Sequence, residues 1–178
     1  MERSIRISIN IVGLVLVAAA VWHCTVNKFN NLRDSNGVTS VMVTARERDR
    51  QLECLARNIY FEAGRESFEG KVAVAQVTIN RAESGKFPED ICAVVYQKTV
   101  FAERVVCQFT WYCENSGPNR SIYKEVYNES YEVAKRVLLE GYRLPSLREA
   151  IYYHATYVSP NWGKPRIVQI GNHIFYKG

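Results

Sequence analysis

The sequence is poor in histidine and in closely spaced cysteines, and this scarcity limits its metal chemistry. Among 178 residues there are three histidines, and only two of them, His154 and His173, lie beyond residue 28. No two cysteines stand at the CxxC spacing of common zinc sites. A catalytic zinc ion usually takes three protein ligands, so a zinc hydrolase would have to recruit a carboxylate here. We therefore expect no metal ion and no other cofactor.

The chain also lacks a concentrated excess of positive charge, despite a formal net charge of +5. From Gln51 onward there are 16 lysines and arginines against 14 aspartates and glutamates, whereas residues 1–50 hold 7 basic and 4 acidic residues. A nearly balanced body argues against a nucleic-acid partner. Its small positive surplus suits an anionic polymer of the cell envelope.

Charged residues are absent from residues 7–27, and Arg3 and Arg6 precede this 21-residue segment. A helix of that length spans a bilayer, and the basic residues place its amino end in the cytoplasm. We predict a signal anchor in the inner membrane over residues 1–28, a linker over 29–50 and an exported domain over 51–178. A cleaved signal peptide is the alternative, because residues 18–20 are three alanines.

Four cysteines lie beyond the predicted membrane segment: Cys54, Cys92, Cys107 and Cys113. An even set favours disulfides in an oxidising compartment, although four cysteines allow three pairings. The short gap between Cys107 and Cys113 favours a local bridge, which leaves Cys54 for Cys92; free buried thiols are the alternative. The odd cysteine, Cys24, lies in the membrane segment. Our hypothesis is that its thiol attacks a domain disulfide when the segment leaves the bilayer.

Hydrophobic spacing predicts helices first and strands last. One helical face is apolar at Leu52, Leu55, Ala56 and Ile59. Gly64 is expected to end this helix. Further helices are predicted over residues 70–83, from Pro88 onward, and over 121–141. Strands are predicted over 150–156 and 166–177, the latter with a turn at Gly171 and Asn172. The predicted fold class is α+β, a helical domain with a small antiparallel sheet.

The best chemical candidate in the chain is Glu62, which follows the apolar run Ile59, Tyr60 and Phe61 at a helix end. Such surroundings raise the pKa of a carboxyl group and suit a general acid. A surface glutamate paired with Arg57 or Arg65 is the alternative. Spacing alone does not decide between them.

Aromatic residues are concentrated in two places. Between Cys107 and Cys113 the chain reads Gln108-Phe109-Thr110-Trp111-Tyr112, which predicts either a sugar-stacking platform or a plug of the core. Near the carboxyl end, His154 and His173 stand among Tyr152, Tyr153, Trp162 and Tyr176. We select Gln108, Thr110, Trp111, Tyr153 and His154 as candidate sugar-binding residues. A structural role is the alternative for each histidine.

Six ordered blocks between Leu52 and Gly178 resemble the cell wall hydrolases of the spore cortex-lytic (SleB-like) type. They are CLARNIYFEAGRE, EGKVAVAQVTINR, FPEDICAVVYQ, CQFTWYC, AIYYHATYVSPNW and IGNHIFYKG. The resemblance implies a lysozyme-related, lytic-transglycosylase-like domain that degrades peptidoglycan. It places the catalytic glutamate at Glu62. The family continues Arg-Gly-Glu where this chain has Gly64-Arg65-Glu66, so Glu66 aligns but a role for Arg65 in holding a carboxylate does not carry over.

The resemblance implies that Glu62 cleaves the glycan between N-acetylmuramic acid and N-acetylglucosamine. As an acid it protonates the glycosidic oxygen, and as a base it then takes a proton from the muramic 6-hydroxyl, which closes an anhydro ring. One carboxylate suffices, unlike the pair in most glycosidases. Glu66 is the candidate second carboxylate and substrate contact; if it faces the cleft, hydrolysis becomes possible.

Two other functions remain open at this point. An N-acetylmuramoyl-L-alanine amidase would cut the peptide stem and depend on His154 or His173. A non-catalytic wall-binding envelope protein would release no fragments. We expect the enzyme to act as a monomer on peptidoglycan, with its domain outside the cytoplasm. The anchor segment also resembles those of phage endolysins that are held at the membrane until release.

Overall fold

The computed structural model describes residues 21–23, 44–114 and 121–178. Residues 44–178 form one compact unit, which we call the domain. Most of the predicted membrane segment, Cys24 and the first part of the linker lie outside the described residues. None of the described helices is long and apolar enough to cross a membrane.

Five described helices lie between Ala45 and Leu138 and carry most of the core of the domain. Their bounds are α1 Ala45–Ala63, α2 Phe68–Glu83, α3 Ile91–Val95, α4 Thr110–Cys113 and α5 Lys124–Leu138. Thr44 and Ser67 cap the amino ends of α1 and α2 by accepting hydrogen bonds from Glu47 N and Gly70 N. The predicted apolar face of α1 is buried, and Gly64 ends the helix as expected.

Strands form two small antiparallel sheets. A hairpin joins β1 Lys98–Phe101 to β2 Arg104–Cys107, and a three-stranded sheet consists of β3 Ala150–Ala155, β4 Arg166–Ile170 and β5 His173–Lys177 in the order β3-β5-β4. A 3-10 turn, Pro145–Leu147, precedes β3. The α+β prediction is thus confirmed. The β1–β2 hairpin was not predicted, because its turn residues Ala102 and Glu103 adopt positive φ without glycine or asparagine.

The helix predicted from Pro88 begins later than expected. It starts at Ile91, because the Asp90 carboxylate accepts a hydrogen bond from Ala93 N at 2.7 Å and caps the helix there. Pro88 and Glu89 precede the helix.

Helix α2 is the centre of the domain, because it contributes to two separate hydrophobic clusters. On one side Val72, Ala75 and Ile79 pack with α1, α3 and α5. On the other side Ala73 and Val77 pack with Leu147, Ala150 and Phe175. Every residue from Gly70 to Ile79 is buried, so the helix is enclosed on all faces. The sheet is thereby held against the helices.

Polar side chains of α2 fasten the segment that leads into β3. The Gln76 side-chain amide donates a hydrogen bond to Leu144 O at 3.1 Å and accepts one from Leu144 N at 2.7 Å. Asn80 donates to the carbonyl oxygens of Leu147 and Ala150, both at 2.8 Å. Arg81 Nε donates to Ile151 O at 2.8 Å. These bonds satisfy buried backbone groups and set the position of β3 relative to the helices.

Both predicted disulfides are present, Cys54–Cys92 and Cys107–Cys113. The first joins α1 to α3 across 38 residues of sequence. The second joins the end of β2 to the end of α4 across six residues. The second bridge holds the hairpin base beside the helical core.

Candidate active site

Glu62 borders two adjoining depressions, each enclosing about 420 Å³. This volume is typical of ligand pockets, roughly 300–1,000 Å³. The first depression is also lined by Arg81, Gln108, Phe109, Thr110, Tyr152, Tyr153, Trp162 and Lys164. The second is also lined by Tyr60, Phe61, Ala63, Gly64, Arg65, Glu66, Ser121, Tyr123 and Val126. We call the two together the cleft; Glu62 lies where they meet.

A buried polar network fixes the end of α1 that carries Glu62. One helical turn before it, Asn58 is fully buried and donates to Thr78 Oγ1 at 3.1 Å. Asn58 Oδ1 accepts from Trp111 Nε1, also at 3.1 Å. The network joins α1, α2 and α4, and a satisfied buried network of this kind rigidifies its surroundings.

Tyr153 reaches Glu62 from the sheet. Its hydroxyl donates a hydrogen bond to Glu62 Oε2 at 2.9 Å. Burial raises the pKa of Glu62 above its ordinary value, although the Tyr153 hydrogen bond and the positive charge of Arg81 act in the opposite direction. A partly buried carboxyl group with a raised pKa and a fixed orientation is suited to give and later regain a proton.

Arg81 places a buried positive charge in the wall of the cleft. Its guanidinium lies 5.2 to 5.6 Å from the ring centroids of Phe109, Phe87 and Tyr153. Its Nη1 is buried without a hydrogen-bond partner among the described atoms. The positive charge of Arg81 thus lies in the wall of the cleft, where it stabilises the carboxylate form of Glu62.

The loop between Cys107 and Cys113 divides into a cleft part and a core part. Gln108 and Thr110 line the cleft, and their sugar-binding role stays a prediction. Trp111 is only 3% exposed and stacks on Phe61 with ring centroids 4.4 Å apart. This corrects the expectation for Trp111, whose indole is buried in the helical core and offers no face to a ligand.

Glu66 lies at the edge of the second depression, but its carboxylate is engaged elsewhere. Its two oxygens accept hydrogen bonds from Asn172 Nδ2 at 2.8 Å and from Asn172 N at 3.2 Å. Gly171, at φ +55°, and Gly70 flank this carboxylate so closely that a side chain on either would collide with Glu66. Glu66 thus holds the β4–β5 turn to the start of α2.

His154 does not line the cleft. Its Nδ1 is 2.9 Å from Ala155 O and its Nε2 is 2.8 Å from Tyr176 Oη, so both ring nitrogens are engaged. The ring stacks on Tyr176 and meets the edge of Trp162. The substrate contact expected for His154 is therefore replaced by support of neighbouring rings.

His173 is buried beside Tyr153, and burial lowers its pKa. Among residues 21–23, 44–114 and 121–178, no three His, Cys, Asp or Glu side chains come together as a metal site.

Several cleft residues were not selected from the sequence, among them Arg81, Trp162 and Lys164. Arg81 follows the mostly apolar stretch 72–79 of the same helix, and its side chain is buried in the structure. Trp162 and Lys164 lie in an irregular segment between β3 and β4, where sequence periodicity gives no side-chain direction.

Comparison with known proteins identifies relatives over most of this domain. The cell wall hydrolase family profile matches residues 65–176, beginning three residues after Glu62. The spore cortex-lytic enzyme of Bacillus subtilis (strain 168) is 33% identical over 129 residues, covering 70% of this chain and 36% of the relative. That of Oceanobacillus iheyensis is 28% identical over 152 residues, covering 83% and 49%. The chain thus spans between about a third and half of these relatives.

Two solved structures share the fold. The catalytic domain of the Bacillus cereus SleB protein superimposes with a TM-score of 0.55 and 26% identity, covering 80% of this chain and 99% of that domain. The catalytic domain of the germination-specific lytic transglycosylase SleB from Bacillus anthracis gives a TM-score of 0.55 at 23% identity, covering 80% and 98%. The latter likeness concerns the fold alone.

Proposed function

The chain belongs to the cell wall hydrolase family, and from this membership we propose that it cleaves the glycan strand of peptidoglycan as a lytic transglycosylase. The bond cleaved is that between N-acetylmuramic acid and N-acetylglucosamine. The observation that carries the proposal is the carboxyl group of Glu62, which lies where the two halves of the cleft meet and accepts a hydrogen bond from Tyr153 at 2.9 Å.

In the first step Glu62, protonated, gives its proton to the glycosidic oxygen while the bond to the muramic anomeric carbon breaks. Positive charge develops on the sugar ring, and the new Glu62 carboxylate is stabilised by the Tyr153 hydroxyl and by Arg81. In this proposal Gln108 and Thr110, which line the cleft, bond sugar hydroxyl or acetamido groups.

In the second step the Glu62 carboxylate takes the proton of the muramic 6-hydroxyl, whose oxygen bonds to the anomeric carbon. The product is a 1,6-anhydro sugar, Glu62 is again protonated, and no water is consumed. This route needs one carboxylate, which suits a site where Glu66 is committed to Asn172.

Simple hydrolysis of the glycosidic bond is the second candidate. It would use a second carboxylate as the base that activates water, and one observation concerns such a carboxylate. The charge of Glu114, at the end of α4, acts on Glu62 and raises its pKa. An inverting hydrolase uses a second carboxylate that activates water from the opposite side of the sugar. Glu66, which lines the second depression, and Glu114 are therefore the residues to test if hydrolysis is observed.

Mass spectrometry of the muropeptides released from purified peptidoglycan separates these reactions. We expect fragments that end in 1,6-anhydromuramic acid. Reducing ends would establish hydrolysis and make Glu66→Gln and Glu114→Gln the next variants. Free stem peptides with intact glycan would establish the amidase alternative, and wall binding without any released fragment would establish a non-catalytic role.

We also place the domain outside the cytoplasm, anchored by residues 1–28. Two disulfides within the domain support an oxidising compartment. The anchor and an endolysin-like release from the membrane rest on the sequence of residues 1–28. Fractionation of cells that express the full chain tests them: recovery of the protein in the soluble cytoplasm would contradict both.

A further inference from the structure

One end of the first depression carries an aromatic and cationic surface that the proposed steps leave unused. We define the Trp162 subsite as Tyr152, Trp162 and Lys164. Trp162 is 42% exposed, and its ring centroid lies 6.2 Å from that of Tyr152. Lys164 Nζ lies 3.7 Å from the Tyr152 ring centroid. All three residues line the same depression as Glu62.

The partly exposed indole of Trp162 packs against the rings of His154 and Tyr176. The centroids of His154 and Tyr176 lie 5.5 and 6.0 Å from that of Trp162, both edge-on. His154 Nε2 and Tyr176 Oη are joined at 2.8 Å, which fixes those two rings relative to each other. A tryptophan that is rigidly backed yet open to solvent presents a flat apolar face with little conformational entropy to lose on binding.

Lys164 adds a positive charge that is not neutralised by its described neighbours. No carboxylate within residues 44–114 or 121–178 forms an ion pair with it. The first depression therefore holds two cations, Arg81 and Lys164, and one carboxylate, Glu62. This balance favours a ligand that brings negative charge to the Lys164 end of the depression.

We propose that the Trp162 subsite binds a peptide-substituted sugar, with the indole stacked on the pyranose face and Lys164 bound to a carboxylate of the stem peptide. This inference rests on the proposed function, because it assigns part of the substrate to one end of that cleft. In intact peptidoglycan the lactyl carboxyl group of muramic acid is amide-linked to the stem peptide, so the free carboxylates belong to the peptides. Removing a peptide exposes the lactyl carboxylate on the sugar instead. The proposed subsite thus distinguishes a carboxylate of the stem peptide from the lactyl carboxylate that remains without it.

Binding to the inactive Glu62→Gln full chain tests the subsite without cleavage. The probes are soluble glycan fragments of equal length, with stem peptides and with the peptides enzymatically removed. We expect the fragments with peptides to bind more tightly. Lys164→Gln in this background should reduce the preference by about threefold, the upper range of an exposed ion pair. Lys135→Gln is the matched control, since it removes a charge on α5 that pairs with Glu132 outside the cleft.

Trp162 is tested with two variants in the same background. Trp162→Ala should weaken binding of both fragments by about tenfold, because ring stacking serves each of them. Trp162→Phe, which keeps an aromatic ring, should recover most of this loss and controls for folding. If Lys164→Gln weakens both fragments equally, or weakens mainly the fragment without peptides through its lactyl carboxylates, the subsite is refuted. It is also refuted if both Trp162 variants bind like the parent. Failure of the wild type to cleave would instead refute the proposed function.

Discussion

The two carboxylates near the end of α1 lie one helical turn apart in sequence, yet the regions around them differ. Around Glu62 the neighbours are a buried tyrosine hydroxyl and a buried guanidinium, and burial raises its pKa. Around Glu66 the neighbours are the backbone and side-chain amides of Asn172 in a surface turn. The first region suits proton transfer, and the second suits fastening a turn.

This difference shows that spacing along a helix does not assign a role to a carboxylate. Glu62 is directed at the sheet by α1, which Asn58 and its partners hold in place. Glu66 follows the end of α1, and two neighbouring glycines leave space for its carboxylate. The hydrogen-bond partners that tertiary packing supplies therefore decide whether each carboxylate suits proton transfer or fastens a turn.

The largest expected effect is that of Glu62→Gln. The amide keeps the shape of the side chain but cannot donate the proton, so release of muropeptides should fall by about a thousandfold. Circular dichroism and wall binding should remain those of the wild type. Retained cleavage would place the acid elsewhere and would remove the distinction between the two regions.

The same variant should change how stability depends on pH. The folded pKa of Glu62 lies above its unfolded value of 4.5, so the folded state binds the proton more tightly. Its contribution to stability is complete below that value and is lost as the pH rises through the folded pKa. Glu62→Gln should remove this loss, so its melting temperature relative to wild type should rise with pH above about 4.5. A constant difference across pH would contradict the raised pKa.

Tyr153→Phe sharpens the comparison on the Glu62 side. It removes the hydroxyl that donates to the carboxylate but keeps the ring that packs against His173 and Phe175. Cleavage should fall by about tenfold, and the pKa of Glu62 should rise further. Because the proposed mechanism requires protonated Glu62, the alkaline limb of the pH–rate profile should move to higher pH. A limb that moves to lower pH would show that Tyr153 does not stabilise the carboxylate.

The smallest expected effect on catalysis is that of Glu66→Gln. The amide loses one of two acceptor sites for Asn172, so urea unfolding should show a stability loss of about 1 kcal/mol. Cleavage should change by less than about threefold, within the range of a small shift of the turn. Asn172→Ala is the matched variant and should lower stability without adding to the loss in Glu66→Gln. A loss of cleavage as large as that of Glu62→Gln would make Glu66 the second catalytic carboxylate.

Local chemistry of the chain was sufficient for several parts of the fold. The apolar face of α1, its end at Gly64 and the β4–β5 turn follow from helical period, backbone freedom and turn residues. The disulfide pairing followed from the short gap between Cys107 and Cys113. The order of the six sequence blocks between Leu52 and Gly178 indicated the family to which the chain belongs.

The sequence by itself thus indicated four of the five described helices, the strands of the larger sheet, the favoured disulfide pairing, the family and the choice of Glu62 as the candidate acid. Only the tertiary structure decided that Trp111 is a core residue, that Tyr153 holds Glu62 and that Glu66 holds a turn. The physical reason is the distance along the chain over which each kind of interaction acts. Helical period and turn chemistry act over a few residues, whereas the Tyr153 and Asn172 partners are 91 and 106 residues away along the chain. Such pairs exist only after α2 has brought the sheet to the end of α1.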